Sequence, residues 1–409
     1  MSDPDYNNYL QAIYPETEWS VSRFSHGSIN ATYRAVKTTG DAGPPSIVLK
    51  HAYPYFEDEE SGHVQRFSLT RQEIESVVMA FWAQDTPLQG SSHLYWRVPR
   101  PLHRSQGMES KLLHTQELED ISILLVEDLG NVRNLRDTIL AWAELGTKDR
   151  VSEAVSQIGH TLGLSLATLH GPNTIQALES SGLQDIVSQR LTDDVVWFLS
   201  MELLPDYLAG AARASEYFEW LVEDVKSPKH TYPPCLMHGD FNYGNIMLQT
   251  DALETGNTQP MVIDWEFATS QGRGVNGDVS EFLSMIHCRV ISGRNQQTPS
   301  ATYFRLLCTS FCSAYRDKAQ LVCTMQVDDL NTQLYRSALL LSGRDILTFA
   351  NDACRDDPVF DEMVDVGLWY FERAGASMEE FVQQSNVVQL AKEDEGFVHS
   401  LFIFNSEGV

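Results

Sequence analysis

Basic residues are scarce in this chain. Against 56 Asp and Glu it sets only 29 Lys and Arg in 409 residues, a formal charge of -27 with His neutral. A surface that acidic repels a phosphate backbone, so non-specific nucleic-acid binding is not expected. Long hydrophobic runs are lacking too, and no stretch approaches the 18 or more apolar residues that a membrane span needs. The N-terminus MSDPDYNNYLQAIYPETEWS has neither a basic n-region nor an apolar h-region, so a soluble, cytoplasmic protein with no membrane partner is expected. Cysteines number six, with no CxxC pair and no His spacing that suits zinc, which points to buried free thiols instead of disulfides or a structural metal. Asn30-Ala31-Thr32 matches a glycosylation sequon, but without a secretory route it should carry no sugar. No internal repeat or low-complexity tract is present.

What the chain does contain is core material: 43% hydrophobic residues, including 8 Trp, 15 Tyr and 18 Phe. Its length exceeds what one compact core usually holds, so two packed lobes are expected. Alternating apolar and β-branched residues at 19–24, 31–36, 46–51, 97–102 and 121–126 read as an antiparallel sheet. One helix interrupts it at 71–82, where Ile74, Val77, Val78 and Phe81 recur at three- and four-residue spacing. Beyond Leu135 the periods become long and helical, at 149–170, 188–225, 301–324, 330–353 and 362–384, so the expected division is 1–127 and 128–409. The polar insertions 56–70 and 104–120 read as exposed loops.

The chemistry concentrates in CLMHGDFNYGNIML (235–248) and MVIDWEFA (261–268), two short apolar strands flanking a polar turn. Asp240 and Asn245 sit on one loop, Asp264 and Glu266 just beyond the second strand. Hard oxygen ligands gathered at one end of a hairpin suit Mg²⁺. Zinc is a poor fit, because no second His or Cys is placed to help. The competing reading of HGDFNYGN is an ordinary turn rich in Asn, Asp and Gly.

His238-x-Asp240-x4-Asn245 followed by Asp264 resembles the catalytic loop and metal-binding Asp of protein kinases. The HGDxxxxN form and the Asp-x-Glu after it are closer to the aminoglycoside phosphotransferase and choline kinase group, and IDWEFA looks most like its methylthioribose kinase branch. The resemblance spans about Val21 to Leu283. It implies an α+β, two-lobe, protein-kinase-like fold, with a small antiparallel-sheet N-lobe and a larger, mainly helical C-lobe, using ATP and Mg²⁺. On it, Asp240 would align the acceptor hydroxyl, and Asn245, Asp264 and Glu266 would hold the metal. Phe24 to Arg34, with Ser25, Gly27 and Ser28, would be the hairpin covering the nucleotide. Lys50 would grip the α/β-phosphates. In Arg71-x3-Glu75 the family's helix Glu that fixes this Lys would be Glu75, with Glu73 as the alternative; helical phase favours Glu75, beside Val78 and Met79. LLVEDLG (124–130) would be the hinge, where backbone groups of Glu127 to Leu129 bind adenine. Asp278 would brace the catalytic loop, His238 would pack and hydrogen-bond, and Trp265 would belong to the core.

The implied reaction moves the γ-phosphate of ATP to a hydroxyl of a small molecule. A protein acceptor is disfavoured, since only about fourteen residues separate Asp264 from Asp278, with no long activation segment. The acceptor classes open to the family include amino alcohols, hydroxyindole amines, sugars and aminoglycosides. The acidity of the chain, with Glu202, Asp206 and Glu281 expected to border the cleft, favours a cationic one. Methylthioribose kinase proper is an alternative, weakened because its adjacent arginine pair is replaced here by the separated Arg336, Arg344 and Arg355. An inactive kinase-like ATP-binding protein is another, opposed by the intact set Lys50, Asp240, Asn245 and Asp264.

Overall fold

A computed structural model describes residues 5–24, 30–57, 64–83, 94–106, 121–145, 147–188, 201–226, 234–384 and 397–404. The first half is built on strands β1 (Glu18–Arg23), β2 (Ala31–Thr39), β3 (Ser46–Ala52), β4 (Tyr55–Glu57), β5 (Val64–Arg66), β6 (Pro101–Gln106) and β7 (Ser122–Glu127). Five of them form one sheet in the order β1-β2-β3-β7-β6, every neighbouring pair antiparallel. β4 and β5 pair separately.

β7 is a continuous apolar run because it is covered on both faces. Ile123 and Leu125 join a cluster with Tyr6, Tyr9 and Leu10 of the Tyr6–Ile13 helix. Leu124 and Val126 point the other way, to Ile74, Val78 and Phe81 of the Thr70–Trp82 helix. Side chains alternate across a strand, so β3 divides likewise: Ile47 and Leu49 go to the first cluster, and Val48 and Lys50 face the long helix. The Tyr6–Ile13 helix carried no signal strong enough to be expected from sequence; two buried tyrosines and a leucine suffice because the sheet offers an apolar face to cover.

The second half is mainly helical, with long helices Lys148–Leu169, Asp278–Asn295, Pro299–Ala319, Leu330–Ala353 and Phe360–Ala374. Between them run β8 (Val132–Asn134), β9 (Cys235–Met237), β10 (Ile246–Gln249), β11 (Met261–Val262) and β12 (Thr269–Gly272). β8, β10 and β11 form one small sheet and β9 pairs with β12. The α+β architecture of a sheet-based half and a helical half is therefore the observed one. All six cysteines are free and buried. No helix among the described residues is long and apolar enough to cross a membrane.

Several boundaries differ from the sequence reading, each for a local reason. The apolar stretch 97–102 divides: Arg97 makes a parallel bridge to Met261 in the other half, and the strand of the main sheet begins at Pro101. Arg104 to Gln106 therefore belong to a strand, and residues 107–120 lie outside the described part. Within 188–225 the described helices are Leu204–Tyr207 and Ala214–Lys226, and 189–200 lies outside it. The final helical stretch breaks at Gly375, whose φ of 66 no ordinary helix can carry.

The Lys148–Leu169 and Pro299–Ala319 helices approach so closely that glycine is required. A Cβ on Gly163 would sit 2.3 Å from the Phe311 carbonyl oxygen, and one on Gly159 2.4 Å from that of Leu307. Because the obstacle is backbone, the helices themselves would have to separate. Gly163→Val should lower stability by about 1–3 kcal/mol or more in thermal or urea unfolding. Gly210→Ala, where nothing lies within 4 Å, should stay within about 0.5 kcal/mol of the parent.

Candidate active site

Lys50 stands within β3 between the buried Leu49 and His51, and its ammonium lies 2.6 Å from Glu75 Oε1 and 2.5 Å from Asp264 Oδ1. Glu75, 1% exposed, is the helix carboxylate that meets this lysine; Glu73 stands two positions away on a less buried side. Burial alone would drive Lys50 towards the neutral amine, but Asp264, Glu75 and Glu266 outweigh it and its pKa rises. For Glu75 burial dominates: its carboxyl is pushed up to about 7 despite the lysine.

One turn earlier on the same helix face stands Arg71, fully buried. Its Nε donates to Glu266 Oε2 at 3.0 Å, Nη2 to Asn30 Oδ1 and the Tyr53 carbonyl, and Nη1 to the carbonyls of Phe67 and Ser68. Glu266 Oε2 also accepts from Asn30 Nδ2 at 2.9 Å. The i, i+4 spacing of Arg71 and Glu75 thus fastens the helix to both residues of the Asp-x-Glu pair, directly to Glu266 and through Lys50 to Asp264. The Arg71–Glu266 pair was not anticipated. The sign available was an arginine in phase with an apolar stripe, where an unpaired charge could not remain.

The Asp240 loop is held from two sides. His238, fully buried, lies 2.9 Å through Nε2 from the Ile263 carbonyl, and the Ile263 N–H donates to the Asn245 carbonyl at 3.0 Å. Since a carbonyl only accepts, Nε2 carries the proton, leaving Nδ1 to accept the Asp240 N–H at 3.3 Å. Both backbone groups of Ile263 are thereby fixed to the loop, and the next residue is Asp264. Asp264 has φ 69 and ψ 57, a left-handed conformation that Asp tolerates better than most residues and that costs roughly 1–3 kcal/mol. Trp265 is fully buried, its indole N–H on the Val262 carbonyl and its ring 4.5 Å from that of His238.

From the other side Asp278 accepts the His238 and Gly239 N–H groups, each at 2.8 Å, and the His170 Nε2–H at 3.1 Å. Burial by itself would raise the Asp278 carboxyl, but His170 and the backbone donor outweigh it and hold it below the usual range. Gly239 must be glycine: φ is +86, and a Cβ would lie 2.1 Å from the Phe267 carbonyl oxygen.

Within this frame the Asp240 carboxylate accepts from Asn242 Nδ2 at 2.6 Å and from Asn245 Nδ2 at 2.7 Å. The amide of Asn245 therefore turns its oxygen away from Asp240. Glu281 stands on the first turn of the Asp278–Asn295 helix, its Oε1 3.4 Å from the same Asn242 nitrogen. Burial and the Asp240 carboxylate push Glu281 well above the usual carboxylate range. Glu202 and Asp206 lie exposed around the Leu204–Tyr207 turn.

The expected hinge is the end of β7. The Glu127 side chain is paired with Arg97 at 2.5 Å and Arg100 at 3.7 Å, and its N–H donates to the Arg100 carbonyl. The Leu129 carbonyl accepts from Gln249 Nε2 at 3.1 Å, whereas its N–H meets no acceptor among the described residues. Ser25, Gly27 and Ser28 lie outside the described residues. The site as described thus brings together Lys50, Glu75, Asp240, Asn245, Asp264 and Glu266, from elements more than 200 residues apart.

The sequence profile of the phosphotransferase enzyme family, APH, matches residues 20–271. The chain belongs to that family. It is similar to the 4-hydroxytryptamine kinase of Psilocybe cyanescens, 25% identical over 248 residues that make up 60% of this chain and 62% of that protein. The corresponding kinase of Psilocybe cubensis is 25% identical over 252 residues, with the same shares. The chain spans about three-fifths of the length of the curated relatives it matches. Among solved structures, choline kinase from Cryptosporidium parvum Iowa II aligns over 93% of this chain and 92% of that one, at 10% identity and a TM-score of 0.45.

The Asp278 brace gives an acid-side signature. A carboxylate whose folded pKa lies below its unfolded value contributes stability above about pH 4, and that contribution is lost as pH falls through the folded pKa. Asp278→Asn should therefore be less stable than the parent at neutral pH and show a shallower loss of stability on acidification, read from urea midpoints between about pH 3 and 7.

Proposed function

We propose that this protein is an ATP- and Mg²⁺-dependent phosphotransferase that moves the γ-phosphate to a hydroxyl of a small molecule, and that a cationic acceptor is preferred. The observation that carries the reading is the convergence of Asp240 and Asn245 with Asp264 through the double clamp on Ile263, opposite an ammonium held by Glu75. In this reading residues 1–127 form the nucleotide lobe and 128–409 the catalytic and acceptor lobe.

Asp240 accepts the hydrogen bond of the acceptor hydroxyl and aligns its oxygen, with Asn242 and Asn245 fixing the carboxylate. Lys50 binds the α/β-phosphates, and the Leu129 N–H, without an acceptor among the described residues, would donate to the base. Mg²⁺, when bound, neutralises phosphate charge in the transition state. The residues fit such an ion: the Asn245 amide oxygen is turned away from Asp240, and no hydrogen bond occupies Asp264 Oδ2 among the described residues. Two protein oxygens with phosphate and water completing the shell match the habit of Mg²⁺, and no group of three or more His, Cys, Asp or Glu suited to a metal occurs among the described residues. Glu266 Oε2, occupied by Arg71 and Asn30, serves to anchor the helix in this geometry.

A cationic acceptor is supported by Glu281 beside Asp240. Arg336 is used on the Ala374 and Gly375 carbonyls and Arg344 pairs with Asp345 at 2.5 Å, which weighs against methylthioribose as acceptor. The likeness to 4-hydroxytryptamine kinases points the same way. ATP consumption measured against sugars, amino alcohols, nucleosides and hydroxyindole amines tests the reading. Turnover is expected with an amine, and turnover confined to anionic acceptors would overturn the preference.

Asp240→Ala should reduce turnover by ~10²- to 10⁴-fold while leaving nucleotide affinity nearly unchanged, checked by single-turnover kinetics beside calorimetry. Wild-type turnover in this variant would remove Asp240 from the reaction. Asp264→Asn should weaken Mg·ATP binding more than Glu266→Gln does. The reverse order in calorimetric titrations would make Glu266 the principal ligand.

A further inference from the structure

Behind the Asp240 loop, inside the helical half, lies a cavity of about 450 Å³. It opens between the ends of the Lys148–Leu169 and Pro299–Ala319 helices and the start of the Leu330–Ala353 helix, with residues 273–275 closing one wall. That volume falls in the range of small-molecule sites. None of the described residues that line it is acidic, in a chain where 56 of 409 are. Two cations reach it. Arg273 is committed to the Asp224 and Val225 carbonyls, with the Asp224 carboxylate 3.6 Å away. Lys318 is exposed and enters no ion pair among the described residues. Leu321, Leu334 and Val275 supply an apolar surface beside it.

The floor of the cavity is wired to the catalytic loop. Tyr315 and His170 both line it, and the tyrosine oxygen is 2.9 Å from His170 Nδ1. His170 Nε2 faces Asp278, so Nε2 carries the proton and Nδ1 accepts from the Tyr315 hydroxyl. Asp278 in turn holds the N–H groups of His238 and Gly239. A molecule pressing on Tyr315 therefore acts on a chain of three hydrogen-bonded links that ends at His238 and Gly239, the two residues before Asp240.

We propose that this cavity binds a small organic anion with an apolar body, its acid group on Lys318 and its ring against Leu321 and Leu334, and that its occupancy restrains the Asp240 loop through Tyr315, His170 and Asp278. In a protein of charge -27 an anion is repelled from most of the surface, so a pocket whose described lining has no carboxylate and whose Lys318 has no ion-pair partner among the described residues is where one can settle.

The probe is 8-anilinonaphthalene-1-sulfonate, a sulfonate on an aromatic body, added to the full chain without nucleotide or acceptor, so the outcome does not depend on the phosphotransferase reading. A saturable single-site rise in fluorescence is expected, not displaced by a non-hydrolysable ATP analogue. Lys318→Glu should weaken it about tenfold or more, as loss of a charged hydrogen bond does, and Ala319→Trp should fill the cavity and abolish it. Binding equal to the parent in both variants, or displacement by the nucleotide analogue, would overturn the site. The link to the loop is read by hydrogen exchange of residues 235–241. The probe should slow it in the parent and leave it unchanged in Tyr315→Phe, which still binds. Exchange unaltered in the parent, or slowed equally in Tyr315→Phe, would overturn the coupling.

Discussion

The ammonium of Lys50 is the point on which the two halves of the molecule agree. Taking it out of water is unfavourable, and it stays charged only because Glu75 and Asp264 approach it from opposite sides. Those three groups come from a strand, a helix and a loop, and Arg71 on Glu266 and Gln72 on the Lys50 carbonyl reinforce the same meeting. Add Arg71 and Glu266 and the buried cluster holds two cations and three carboxylates, an excess of one negative charge. Burial, with Asp264 and Glu266 nearby, pushes the Glu75 carboxyl up against the pull of Lys50. On the proposed reading, a divalent cation at Asp264 would relieve that excess.

Local order in the chain made much of this readable. The strand carrying Lys50, the helix phase that puts Glu75 inward, and the two loops carrying Asp240 and Asp264 depend on neighbours within a few residues, and short-range patterns report such features well. What escaped was set by distant partners. Arg97 looked like the start of a sheet strand, but its backbone pairs with Met261, a residue more than 160 positions later. Arg71 could be quoted as part of a motif without any sign of Glu266 opposite. Glu281 was visible as an acid near a helix start, yet its sharing of Asn242 with Asp240 depends on how the Asp278 helix meets the loop.

The same contrast explains the helices. Leu330–Ala353 was read with its ends in place because it begins at Asp329, whose carboxylate accepts the Thr332 N–H, and both faces follow one period. The 362–384 stretch was read as one helix because apolar spacing continues through Gly375, and only the left-handed conformation there separates two helices. Periodicity reports which face is buried and is silent about a single reversed dihedral.

Asp278 gives the Asp240 loop its frame of reference. With two backbone N–H groups hung from one side chain at the start of the Asp278–Asn295 helix, the loop takes its position from that helix and not from the sheet that carries Lys50. If the halves rock against each other, the distance from Lys50 to the rest of the site varies while the attacking geometry at Asp240 travels intact with the helical half. On the proposed phosphotransfer reading, acceptor choice can then drift by substitutions on the helical wall without retuning the grip on phosphate, which is one route by which a single scaffold comes to serve many alcohols.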